Sequence, residues 1–186
     1  MTHKSDTICA LATAYGQSGI GVIRVTGPLA KFIAKKILHQ DLEARYAYYG
    51  SFFGDKNHVI DKGVAIVFPG PNSYTGEDVV EFQGHGGISV TRKLLETIIS
   101  LDVRLAEPGE FTKRAFLNGK MDLVQAEAVQ DLIQSNSEES ALSAVRSLTG
   151  EFSEKVNLIL SELISLRVFV EATIDFSDEE IDFLES

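Results

Sequence analysis

The stretch Val79-Val80-Glu81-Phe82-Gln83-Gly84-His85-Gly86-Gly87 decides how this chain is read. Val79–Gln83 is a short run of β-branched and aromatic residues, and the glycine cluster after it predicts that the strand ends in a tight turn. Beyond the turn, Val90, Leu94, Leu95 and Ile98 recur at helical spacing, and Val103–Ala106 returns to strand character. Upstream, Thr7–Ala12 and Ile20–Val25 read as strands joined through Tyr15-Gly16-Gln17-Ser18-Gly19. Pro28 suits a first helical turn, and Leu29, Phe32, Ile33 and Ile37 carry that helix to Leu38. Tyr46–Phe53 and Gly63–Phe68 predict two more strands, followed by an irregular loop over Pro69-Gly70-Pro71-Asn72-Ser73-Tyr74-Thr75-Gly76. Short strands mixed with two helices predict an α+β fold with a mixed sheet over residues 1–120.

From residue 121 onward the pattern is helical. Asp122 can cap a helix to about Gln134, with Leu123, Ala126, Val129, Leu132 and Ile133 on its apolar side. Ser135-Asn136-Ser137 breaks the chain, and Ser137 with Glu138 and Glu139 begins a second helix. In it Val145, Leu148, Phe152, Val156, Ile159, Leu163, Leu166 and Val170 follow one another by three or four residues. Run from Glu138 to Thr173, this helix would extend ~54 Å at ~1.5 Å per residue. Leaving such a seam in water forgoes on the order of 6 to 12 kcal/mol, so it calls for further helices or a second copy of the chain. The tail Ile174–Ser186 is acidic and closes no unit of its own, so residues 121–186 read as an incomplete helical domain.

The 186 residues are 44% apolar and 24% charged, which excludes disorder throughout. Apolar stretches stop short of the ~18 to 20 residues a membrane span needs, and Met1-Thr2-His3-Lys4-Ser5-Asp6 lacks the oily run of a secretory signal. A cytoplasmic chain is expected. The lone Cys9 and the scattered His3, His39, His58 and His85 argue against a disulfide and a structural zinc site. Net charge is −10 but uneven: residues 1–120 hold 14 basic and 12 acidic side chains, whereas residues 121–186 hold 3 and 15. The acidic third is a poor surface for a nucleic-acid backbone.

No G-x-x-x-x-G-K-[ST] occurs, and Gly16-Gln17-Ser18-Gly19-Ile20-Gly21 has the wrong offsets for G-x-G-x-x-G, so this chain alone is not expected to bind GTP or NAD. Gly84-His85-Gly86-Gly87 could aim amides at an oxyanion, yet there is no G-x-S-x-G and Ser18 lies in G-x-S-G. Those glycines equally suit close strand-to-helix packing. Glu81 stands out because a carboxylate inside a short apolar strand needs donors. A backbone amide or Arg24 could supply them. So could a ligand with two adjacent N–H groups, such as an aminopyrimidinone ring, with Arg24 and Lys120 then facing that ligand's oxygens. Pro108–Lys120 reads as an amphipathic helix with Phe111, Ala115 and Phe116 buried and its charges outside.

Several long words stand in order: Asp6-Thr7-Ile8, Gly19-Ile20-Gly21-Val22-Ile23-Arg24-Val25-Thr26-Gly27, Phe68 to Asp78, Gln83-Gly84-His85-Gly86-Gly87, Pro108 to Lys120, Gln125-Ala126-Glu127-Ala128 and Glu171-Ala172-Thr173-Ile174-Asp175-Phe176. From end to end these resemble the MnmE (TrmE) family of tRNA modification GTPases. The resemblance implies a tetrahydrofolate-binding-like, dimerising N-terminal domain at 1–120, followed by the first helices of a helical domain at 121–186, stopping before the GTPase domain. It implies that full-length members, with GTP, Mg2+ and K+ and the FAD-dependent partner MnmG, place a carboxymethylaminomethyl or aminomethyl group on carbon 5 of the wobble uridine of certain tRNAs. By motif, 5-formyltetrahydrofolate contacts fall on Arg24, Glu81 and Lys120, with Glu81 on the pterin's aminopyrimidinone edge. No catalytic residue and no metal ligand is assigned in this chain. Competing readings are a purely structural dimerisation module with a vestigial pocket, and a stand-alone folate-dependent aminomethyltransferase.

Overall fold

The computed structural model of the chain describes residues 6–175. The readings of the leader at 1–5 and of the acidic tail at 176–186 lie outside the described residues. The chain divides into two compact units, Met1–Met121 and Asp122–Ser186.

In the first unit, β1 (Ile8–Leu11), β2 (Ser18–Thr26), β3 (Tyr48–Phe53), β4 (Val59–Phe68), β5 (Val79–Gly86) and β6 (Arg104–Leu105) form one sheet in the order β3-β4-β5-β2-β1-β6. All neighbours are antiparallel except β1 and β6, so the sheet is mixed. Strand alternation sorts its side chains. On one face Cys9, Ile23, Val25, Phe52, Ala65, Val67, Val80 and Phe82 form the core with Ile33, Ala34 and Ile37 of α1 (Ala30–Leu38) and Leu94 and Ile98 of α2 (Ile88–Ile99). Each fully buried Ile or Phe contributes roughly 1.5–3 kcal/mol. Cys9 is fully withdrawn from water, and burial pushes its thiol up to about 11. The opposite face carries the register row Ala10–Arg24–Glu81–Ile66, with Arg24 directly across from Glu81.

β5 does not stop at Gln83. It runs through Gly84 and His85 to Gly86 before Gly87 leads into α2. The reason is a close approach: a Cβ on Gly84 would lie 2.4 Å from Asp61 Oδ2, so glycine lets the neighbouring strand's carboxylate reach β5. β4 likewise begins earlier than the sequence suggests, at Val59.

The helix α3 (Glu110–Leu117) buries Ala115, but Phe116 is exposed and two of its charges turn inward. Arg114 and Glu110 are each 11% exposed. Arg114 meets Asp6 Oδ1 at 2.7 Å, Glu77 Oε2 at 3.2 Å and Glu110 Oε1 at 3.0 Å, while Arg104 meets the same Glu110 oxygen at 2.7 Å. Hydrogen bonds from Arg104 first of all hold the Glu110 carboxyl down at about 2. This cluster ties the chain start, the loop before β5 and α3 together.

The second unit contains α4 (Leu123–Gln134), α5 (Glu138–Leu148) and α6 (Glu151–Asp175). Asp122 and Gln125 form a reciprocal capping box at the start of α4, as Ser137 and Ser140 do for α5. The single long helix expected from Glu138 to Thr173 is broken at Thr149-Gly150. Gly150 adopts φ +95, a conformation that ends α5, and Gln125 Nε2 donates to the freed Leu148 carbonyl at 3.0 Å. The seam of α6, including Phe152, Val156, Ile159, Leu163 and Leu166, is solvent-exposed. Leu158, Leu160 and Ile164, off that seam, are exposed as well, so the helix is apolar over more than one side.

Candidate functional site

Alternation along β2 and β5 turns Arg24 and Glu81 onto the sheet face opposite the main core. Their side chains are 29% and 15% exposed. Arg24 donates to Glu81 Oε1 twice, from Nε at 2.9 Å and Nη2 at 2.7 Å, whereas Oε2 receives one long bond from Gln83 Nε2 at 3.3 Å. The Arg24 guanidinium lies over Tyr74 at 5.2 Å and Phe111 at 5.9 Å from the ring centroids. Tyr74 is fixed in turn by a 2.9 Å hydrogen bond between its hydroxyl and Thr112 Oγ1.

The loop between β4 and β5 is pinned over this face. Thr26 Oγ1 bonds Thr75 Oγ1 at 2.6 Å and Glu77 Oε2 at 3.0 Å, and Asn118 Nδ2 donates to the Thr75 carbonyl at 2.7 Å. Lys120 follows α3, its backbone N–H donating to the Ala115 carbonyl at 2.9 Å. Its aliphatic stem packs beside Gly76, where a Cβ would come within 3.3 Å of it. Arg24 and Glu81 are therefore in direct contact. Lys120 reaches the loop that carries Tyr74 but forms no ion pair among the described residues.

Of the donors considered for Glu81 from sequence, the Arg24 side chain is the one present. Sequence reasoning missed the Tyr74 and Phe111 flanks, which no spacing rule connects to Arg24. It also missed the pairing of Asp61 with His85. Asp61 accepts from the His85 backbone N–H at 2.7 Å, from His85 Nδ1 at 2.8 Å and from the Lys62 N–H at 2.7 Å. Burial draws the Asp61 carboxyl upward, but these donated bonds prevail and hold it below the usual carboxylate range.

Clefts elsewhere include one of about 520 Å³ bordered by Asp6, Leu29, Asp102 and Arg104 and one of about 600 Å³ between α4 and α5. The Arg24–Glu81 pair lines neither of these and sits on the sheet face near the β4–β5 loop that carries Tyr74. Among the described residues no cluster of His, Cys, Asp and Glu could hold a metal ion, and no helix is long and apolar enough to cross a membrane.

Residues 7–120 match the family described as GTP-binding protein TrmE N-terminus, and residues 123–186 match the MnmE helical domain. The chain belongs to the MnmE (TrmE) family. A relative named tRNA modification GTPase MnmE in Ruthia magnifica subsp. Calyptogena magnifica is 60% identical over 185 residues, covering 100% of this chain and 41% of the relative. Relatives of the same name in Ectopseudomonas mendocina and Hydrogenovibrio crunogenus are each 54% identical, covering 99% and 97% of this chain and 40% of their own lengths. The chain thus spans about two fifths of the length of the MnmE relatives it matches. The mixed-sheet α+β unit and the helical unit are consistent with the two matched regions.

Proposed function

We propose that this chain is the N-terminal part of a tRNA modification GTPase in which residues 1–120 bind a reduced folate and pair with a second copy, and residues 121–186 begin the helical domain. The observation that carries the folate reading is the half-withdrawn Glu81 carboxylate, whose Oε2 has, among the described residues, only the long Gln83 contact. A carboxylate so placed suits the two parallel N–H donors of a pterin edge. Arg24, in contact with two aromatic rings, and Lys120, at the edge of the loop, offer positive charge to the ligand's oxygens. When bound, the folate supplies the one-carbon unit. The protein groups bind and orient it, with Tyr74 and Phe111 keeping water from the Arg24 side.

In the full-length protein, GTP hydrolysis with Mg2+ and K+ and the MnmG partner would complete the wobble-uridine modification of tRNA in the cytoplasm.

The pair of hydrogen bonds that Arg24 donates to Glu81 Oε1 favours a second reading, a structural dimerisation module with a vestigial pocket. Calorimetric titration of the 186-residue chain with 5-formyltetrahydrofolate separates the two. Binding that Glu81→Ala abolishes and the exposed-site variant Lys120→Ala weakens, in variants with unchanged circular dichroism, supports the first. A folded dimer that releases no heat supports the second and rejects folate binding by this part.

A further inference from the structure

The sheet face that carries Glu81 is closed at one end and open at the other. The register row Ile8–Thr26–Val79 is fully buried, covered by the pinned loop. The next row, Ala10–Arg24–Glu81–Ile66, is half-buried, and the row after it, Val22–Gln83–Val64–Tyr49, ends in an exposed tyrosine. Two residues further along β5 stands His85, 73% exposed, with Ile20 of β2 also exposed. An elongated molecule anchored at Glu81 meets a wall toward Val79 and an open floor toward His85, ~13 Å away at ~3.3 Å per residue.

His85 is built with unusual care for an exposed residue. Asp61 is held in its ionised, acceptor-only form, so Nδ1 carries the hydrogen of the 2.8 Å contact and Nε2 is the nitrogen left for other partners. The backbone N–H of His85 is already satisfied by the other Asp61 oxygen, so ladder repair alone does not require the ring to be oriented. The missing side chain at Gly84 is what admits the carboxylate.

We propose that His85, fixed by Asp61, is the far-end ligand contact on this sheet face, with Nε2 accepting a hydrogen bond from the amide N–H of the acylglutamate end of a reduced folate anchored at Glu81. This rests on the folate reading above and adds to it a residue for the tail. A pterin edge and an acylated glutamate stand at opposite ends of that ligand, as Glu81 and His85 do on the strand.

The test is calorimetric titration of the 186-residue chain with 5-formyltetrahydrofolate and with its tail-less analogue, 5-formyl-6-methyltetrahydropterin. His85→Ala weakens the full ligand about tenfold, the worth of one hydrogen bond, and leaves the analogue unchanged. His85→Gln, whose amide reaches the Nε2 position, restores the affinity, while His85→Asn, which reaches only the Nδ1 position, does not. Equal weakening of both ligands by His85→Ala, or no effect on either while Glu81→Ala abolishes both, overturns the tail contact and leaves the folate reading standing. A wild-type chain that binds neither ligand overturns the folate reading itself, and the tail contact with it.

Discussion

Replacing Arg114 by methionine should cost the first unit about 3 kcal/mol, the low end of the ~3–5 kcal/mol typical when one member of a buried ion pair is removed. The structure sets that end of the range. Arg114 touches three carboxylates, but Asp6 is half exposed and rehydrates, and Glu110 keeps its 2.7 Å contact with Arg104. Glu77 is the group left stranded, 15% exposed and keeping, among the described residues, only the 3.0 Å side-chain bond from the Thr26 hydroxyl. Methionine preserves the packing of the aliphatic stem, so the loss reads the charge and not a cavity. All five tyrosines lie before Met121 and the sequence has no tryptophan, so tyrosine fluorescence follows the first unit alone. With a urea slope of about 2 kcal/mol per molar, the midpoint should fall by ~1.5 M. Adding Glu77→Gln to Arg114→Met should recover most of it, because a neutral amide tolerates the vacated site. A midpoint shift below ~0.5 M, or a double variant no more stable than the single one, would refute the reasoning.

Acid should weaken the same cluster. Glu110 is depressed from 4.5 to about 2, so its contribution is fully present above pH 4.5 and is lost as pH falls toward 2. Urea midpoints between those values should slope less in Glu110→Gln than in the wild type, and parallel slopes would count against the assignment. At the head of α4, Asp122→Ala removes a capping box and should cost about 1 kcal/mol locally. Amide exchange in the first turn of α4 should then quicken about fivefold, whereas unchanged exchange would show that the cap carries no weight.

Strands rich in Val and Ile, and helix starts at Asp122 and Ser137, were legible because their signals are local. Three features were not. The continuation of β5 through Gly84 depends on Asp61, twenty-three residues away, and a glycine pair reads as a breaker when its neighbour is unseen. Gly150 costs a helix only about 1 kcal/mol by propensity, so a strong apolar period outvotes it on paper, while a backbone at φ +95 settles it in space. Arg114 turns inward to Asp6 and Glu77, which nothing near it in sequence announces. For the candidate site, the residue types at Arg24 and Glu81 were readable, but their pairing is a matter of register. One sequence does not disclose which residues lie across a ladder.

The inaccessible thiol at the centre of β1 has a practical corollary. Since Cys9 is the sole sulfhydryl in the sequence, a dye that attacks thiolates remains unreacted for as long as that strand stays in place. The pace at which adduct accumulates is therefore a stopwatch for the release of β1, available without engineering any label into the protein.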